Sequence, residues 1–175
     1  MPVRPRMAYA ASKQYVEGLL DAAVASGRVG SGVVLRLYNA FGPGERPTRL
    51  IPRVVEAASS GSTFTLTGSP DSLSDPVHVD RAVEVLIAAA ASAADGIYDL
   101  CGGDPVPLSE QVRRIAEAVA LPPPRLEVLP REGEIPIRFY SDPAPLATAF
   151  ELPPPEPFAE AVRRYRDAGG LLTRS

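Results

Sequence analysis

The chain predicts an α/β fold built on a short parallel sheet. Three observations carry that reading. Amphipathic helical stretches alternate with short apolar runs along the whole sequence. The run Val33-Val34-Leu35-Arg36-Leu37-Tyr38 is nearly continuous in apolar residues, as expected of a strand buried on both faces of a parallel sheet. That run ends in Asn39-Ala40-Phe41-Gly42-Pro43-Gly44, a turn-forming cluster at a strand's carboxyl end, where open α/β sheets place their ligands.

Length and composition set the frame. A chain of 175 residues predicts one domain with a core large enough to be self-sufficient. Its net charge of -3 gives no electrostatic case for nucleic acid or for an anionic membrane surface. Cys101 is the only cysteine, which excludes an internal disulfide framework and a cysteine zinc site. His78 is the only histidine, so most metal sites and Ser-His-Asp arrangements are excluded as well, and no metal is expected. The start is polar and proline-broken, and the Ala-rich run from Leu86 to Ala94 is too short to span a bilayer. A cytoplasmic location is the resulting expectation.

Taken in order, the first helix is predicted from about Ala8 to Ser26, with Val16, Leu19, Leu20, Ala23 and Val24 on its apolar side and Gly27 as its stop. The strand 33–38 and its loop follow. A second helix is predicted over 50–59 and ended by Gly61, then a brief β-segment at 64–67 and a loop from Gly68 to Asp75. After Pro76-Val77-His78-Val79-Asp80 comes an apolar helix to about Ala94, with Asp80 as its N-cap. Residues 96–103 read as a strand with a Gly turn. Residues 108–120 read as a helix capped by Ser109, with Val112, Ile115, Ala116 and Val119 at helical spacing. A strand is expected at 125–129, irregular chain through Pro145, and a last amphipathic helix over 158–168 with Phe158, Val162 and Tyr165 inward.

The first helix carries the chemistry. Tyr9 and Lys13 stand four apart, hence on one face and one turn from each other. An ammonium beside a phenol favours the phenolate, the form that accepts a proton. Lys13 is the only lysine in a chain that otherwise writes arginine, so a compact ammonium is kept at the one place where it differs most from a guanidinium.

Pro5-Arg6-Met7-Ala8-Tyr9-Ala10-Ala11-Ser12-Lys13, with Glu17, resembles the active-site helix of the extended short-chain dehydrogenase/reductases, the NAD-dependent epimerase/dehydratase family. Arg36, Asn39, Phe41, Gly42 and Pro43 match that family's R-x-x-N-x-(Y/F)-G-P segment position by position. Asp75, Val77, His78 and Val79 fit its R-D-(F/Y)-(V/I)-(H/Y)-V-x-D element, but Ser74 stands where the arginine is expected, Pro76 where the aromatic is expected and Arg81 at the final acidic position. Gly96-Ile97-Tyr98-Asp99-Leu100-Cys101-Gly102-Gly103 corresponds to a further strand element, with Asp99 in place of asparagine.

The resemblance implies the C-terminal part of a Rossmann-like parallel sheet joined to a small mixed α/β substrate lobe. In a single domain over 1–175, residues 1–60 and 76–103 would form the sheet side, 61–75 and 104–157 the lobe, and 158–168 the last helix. It implies NAD or NADP as cofactor, with Tyr9 and Lys13 as the catalytic pair and Tyr9, Lys13, Asn39, Ala40 and Phe41 on the cofactor side. Asn39, Arg53 and His78 fall on the substrate side, although a histidine on an apolar strand also suits a structural role. The arginine that Ser74 replaces contacts the substrate diphosphate in the nucleotide-sugar members, where its planar fork suits phosphate. No G-x-G-x-x-G occurs in the chain, so tight NAD(P) binding by these residues alone is not expected.

Three functions are compatible with this reading. The chain is an NAD(P)-dependent epimerase, dehydratase or reductase half, a non-redox module that binds a small molecule or moves a proton, or a split or truncated subunit that needs a partner Rossmann half. A homo-dimer or such a partner half is expected to cover the apolar sheet edge.

Overall fold

The computed structural model describes residues 5–133 and 135–171. The first four residues of the polar, proline-broken start lie outside the described residues. The first helix, α1 (Pro5–Ala25), begins three residues earlier than expected. It leads through Gly27, whose N–H bonds the Val24 carbonyl at 2.9 Å, into β1 (Val33–Leu37). The chain continues with β2 (Ala40–Phe41), α2 (Leu50–Ser60), β3 (Phe64–Thr67), β4 (Leu73–Ser74), β5 (Val77–His78) and α3 (Val79–Ala91). It ends with β6 (Gly96–Leu100), β7 (Val106–Pro107), α4 (Leu108–Ala118), β8 (Leu126–Leu129), β9 (Arg138–Phe139), α5 (Ala144–Ala149) and α6 (Phe158–Asp167).

The strands pair far along the chain and mostly in parallel. β1 runs parallel to β6, from Val33 opposite Gly96 to Leu37 opposite Leu100. β2 pairs in parallel with β5, and β3 with β8. β4 lies between β7, antiparallel to it, and β9, parallel to it. These are short separate pairs and a triplet, not one continuous sheet.

Several expectations need correction. β1 is not buried on both faces: Leu37 is 51% exposed, and on β6 Ile97, opposite Val34, is 50% exposed. The two strands pair only with each other among the described residues, and their exposed apolar residues fall on both faces of the pair. α1 likewise covers only part of its apolar side. Leu20, Ala23 and Val24 are partly buried, whereas Val16 and Leu19 are exposed.

The cap of α3 is His78, whose Nδ1 accepts the Asp80 N–H at 3.2 Å; Asp80 itself sits in the first turn. The helix α4 starts at Leu108, after Pro107, and the Ser109 hydroxyl bonds the Pro70 carbonyl instead of capping. The stretches expected to be irregular hold β4, β9 and α5.

Two apolar clusters hold the fold. In one, α2, α4 and α6 pack over β3, with Val54, Ile115 and Val162 fully inaccessible beside Phe158 and Tyr165. Each such side chain contributes about 1.5–3 kcal/mol relative to exposure. In the other, α3 and α5 pack on β5 and β6 through Val77, Val85, Leu100, Leu146 and Phe150. The first cluster places the start of α2 and one face of α4 around the loop that follows β1.

Candidate functional site

On α1 the Lys13 ammonium lies 5.4 Å from the centroid of the Tyr9 ring, as i,i+4 spacing dictates. Both side chains are exposed. One turn further on, Glu17 holds Arg36 of β1 through two parallel bonds, Nε to Oε1 at 3.0 Å and Nη2 to Oε2 at 2.7 Å. The two segments singled out in the sequence are therefore joined by a forked ion pair. The Arg36 hydrogen bonds hold the Glu17 carboxyl below the ordinary carboxylate range.

The loop after β1 forms one wall of a cavity of about 290 Å³, whose other walls come from the start of α2, β4 and α4. Asn39 donates its amide to the Ser74 hydroxyl at 3.1 Å. Gln111, fully buried on α4, donates to the carbonyls of Ser74 (3.2 Å) and Val106 (2.9 Å), which leaves its Oε1 without a partner. Glu45 presents a second buried oxygen, Oε2, without a partner, while its Oε1 accepts from Arg49 Nε at 3.3 Å. Burial pushes the Glu45 carboxyl up, and the Arg49 guanidinium opposes this only in part. Phe41 and Phe158 supply the apolar lining, their rings 5.8 Å apart.

Asn39, Ala40 and Phe41 thus share the wall of one cavity, and Tyr9, Lys13, Arg53 and His78 are not among its lining residues. Arg53 lies over the Phe64 ring, 4.9 Å from its centroid, and donates to the Thr65 carbonyl at 3.2 Å. His78 is buried beside Phe41 and Tyr165, and burial first, then Arg164, pushes it toward the neutral form. Gly42 sits over this ring with φ of 149°, where a Cβ would come within 2.5 Å of Val79 Cγ1, so the loop needs glycine here.

A second cavity of about 410 Å³ lies beside His78, Arg81, Glu84 and Arg164. Its charges are already matched: Arg81 with Glu84, and Arg164 with Asp80 and Glu156. Sequence reasoning overlooked Glu45, Arg49 and Gln111. Gln111 could have been noticed as a polar residue on the apolar side of α4, one turn before Ile115; Arg49 and Glu45 carried no comparable signal.

The profile of the NAD dependent epimerase/dehydratase family matches residues 1–101. The chain belongs to that family. No curated protein matches it. Among solved structures it is similar to a Thermus thermophilus UDP-glucose 4-epimerase in complex with NAD, at 28% identity and a TM-score of 0.74 over 95% of this chain and 55% of that one. It shares its fold with a UDP-N-acetylglucosamine 4-epimerase from Methanobrevibacter ruminantium M1 at 21% identity and a TM-score of 0.76, over 95% of this chain and 56% of that one. A UDP-glucuronic acid 4-epimerase from Bacillus cereus matches at 16% identity and a TM-score of 0.74, over 95% and 52%. The chain spans about half the length of these structures.

The Tyr9 phenol and the Lys13 ammonium are a proton-exchanging group and a cation that share one exposed face of α1. For the pyrophosphate the 175 residues offer no G-x-G-x-x-G turn. No helix of the described residues is long and apolar enough to cross a membrane.

Proposed function

We propose that the chain is the C-terminal half of an NAD(P)-dependent epimerase/dehydratase acting on a sugar nucleotide, supplying the acid/base helix and the substrate cavity. The observation that carries this reading is the Tyr9–Lys13 pair on α1, tied by Glu17 and Arg36 to the strand whose following loop walls the cavity. In the reaction, Tyr9 Oη takes or returns the proton of a substrate hydroxyl. Lys13 stabilises the phenolate left after Tyr9 gives its proton away. Asn39 and its loop hold the sugar in place. NAD(P), when bound, would supply the hydride chemistry.

The exposed Val16 and Leu19 of α1 and Leu37 and Ile97 of β1 and β6 support a partner that covers these surfaces, either a dinucleotide-binding half or a second copy. Tight binding of NAD(P) is assigned to the completed assembly and not to these residues alone.

The test joins the dinucleotide-binding half of a UDP-sugar epimerase to residue 1 and follows the conversion of a panel of sugar nucleotides to epimerised or dehydrated products by NMR. Turnover that disappears in Tyr9→Phe supports the proposal. A folded, NAD-loaded chimera that is inert toward every sugar nucleotide refutes it.

A further inference from the structure

We propose that a third cavity, between the second half of α2 and the end of α6, is a binding site for a small organic cation, a protonated amine carried on an apolar body. It is separate from the substrate cavity and shares one wall residue with it, Glu45.

The cavity has a volume of about 610 Å³, within the range of small-molecule sites. Pro47, Pro52, Val55 and Leu171 form its apolar walls, together with Tyr165, which is 1% exposed.

The electrostatics around it have one sign. Its charged residues, Glu45 and Glu56, are both acidic, and no arginine, lysine or histidine is among its described lining residues. Glu56, Ser59 and Ser60 come from the second half of α2, whose last turn holds no basic residue. The negative end of that helix dipole is therefore uncompensated here. The Ser59 hydroxyl donates to the Val55 carbonyl at 2.7 Å and the Ser60 hydroxyl to the Glu56 carbonyl at 2.8 Å. With their single hydrogens spent, both have only lone pairs to offer a ligand.

Glu45 points independently to an occupant. Its side chain is 8% exposed. Oε1 accepts from Arg49, which lines the substrate cavity and not this one, while Oε2 is buried without a partner. Tyr165 lines this cavity and not the substrate cavity, and burial first, then the Glu45 charge, pushes its phenol up. The carboxyl with the unmatched oxygen therefore stands between Arg49 on one side and this cavity on the other. A buried carboxylate oxygen without a donor is costly, and an ammonium brings three donors. The aromatic wall suits a cation as well.

The probes are benzylamine, protonated at neutral pH, and neutral benzyl alcohol of the same shape, titrated into the full chain and followed by backbone amide NMR. Benzylamine is expected to shift the amides of Val55, Glu56, Ser59, Ser60, Gly170 and Leu171 saturably, with a dissociation constant of about a millimolar, as suits a fragment. Benzyl alcohol should bind more weakly by about ten-fold or more. Glu45→Gln keeps the shape and an acceptor for Arg49 but removes the charge, and should weaken benzylamine by roughly 10–100-fold, the worth of a charge-assisted bond. Equal binding of amine and alcohol overturns the proposal, as do shifts that never saturate. Shifts confined to Asn39, Ala40, Phe41 and Gln111 place the cation in the substrate cavity and overturn it too. A folded Glu45→Gln with native benzylamine affinity has the same consequence. If Glu45→Gln does not fold, Ser59→Arg decides, since it sets a competing cation at an exposed position of the lining. Loss of benzylamine binding there supports the proposal, and native affinity overturns it.

Discussion

Glu17 and Arg36, nineteen residues apart on α1 and β1, form a two-pronged ion pair that links the helix carrying Tyr9 and Lys13 to the strand beside it. Because α1 leaves much of its apolar side exposed, this pair should matter more to the placement of the helix than to global stability. Glu17→Gln or Arg36→Met is expected to speed amide hydrogen exchange along α1 while leaving α2, α4 and α6 unchanged. The pH dependence has a definite sign. The Glu17 carboxyl is depressed in the fold, so the link is fully present above the ordinary carboxylate pKa and is lost as pH falls through the lowered value. Exchange from α1 should therefore rise in acid earlier than exchange from the core helices. Equal rates in native and variant chains would refute the link.

Gly102 should tolerate no side chain. A Cβ there would collide with the Pro76 carbonyl oxygen and come within 2.8 Å of Asp75 Oδ1, and neither backbone nor a fully buried carboxylate can step aside cheaply. Gly102→Ala is expected to cost roughly 1–3 kcal/mol, the usual range for overpacking. At this chain length that lowers the melting temperature by about 2–4 °C per kcal/mol. An unchanged melting curve would mean that the backbone at Pro76 gives way to the added methyl.

The long elements were legible because their patterns repeat. Ile115, Val162 and Tyr165 lie inward on helices whose apolar spacing announced them, and Gly61 ends α2 with φ of 65°. β4 and β9 were illegible because two-residue strands have no period. They form where Leu73 meets Arg138 and Ser74 meets Phe139 across the chain, with β7 on the other edge of β4. The caps at His78 and Pro107 were mistaken for the better-known cappers next to them. On the site, the loop Asn39-Ala40-Phe41 was legible from its place after a strand, but its neighbours Arg49 and Gln111 are brought there by tertiary packing alone.

Cys101 should be inert in the native protein. It is buried, and burial and the neighbouring Asp75 push its thiol up to about 12. Since the thiolate is the reactive form, a thiol–disulfide reagent at mildly alkaline pH should find no thiol until the chain is unfolded. Asp75 is itself raised by burial, which reverses the sign seen for Glu17. Its contribution is fully present below the ordinary carboxylate pKa and is lost as pH rises through the raised value. Asp75→Asn keeps an acceptor for the Asp104 N–H and removes the titration, so its stability should fall less than the native chain's between acid and neutral pH. Urea titrations across that range would show the two curves converging toward neutrality. Parallel curves would contradict the burial argument.

Tyr9 and Lys13 give the sharpest test of the proposed chemistry. Both are exposed, so Tyr9→Phe and Lys13→Met should each change stability by no more than about 0.5 kcal/mol. Any large effect on turnover is then chemical and not a loss of fold. In the enzyme completed with a dinucleotide-binding half, Tyr9→Phe removes the group that moves the proton and should lower kcat by roughly 10²–10⁴-fold. Lys13→Met keeps the stem and the helix propensity and removes only the charge that lies 5.4 Å from the ring. It should lower kcat as well, and raise the Kd for the cofactor if the ammonium also holds the nicotinamide ribose. Lys13→Arg restores the charge but not the compact geometry, and should fall between the two. If Lys13 were only a surface residue, all three lysine-site proteins would share one kcat and one Kd, and α1 would be a structural helix without a role in proton transfer.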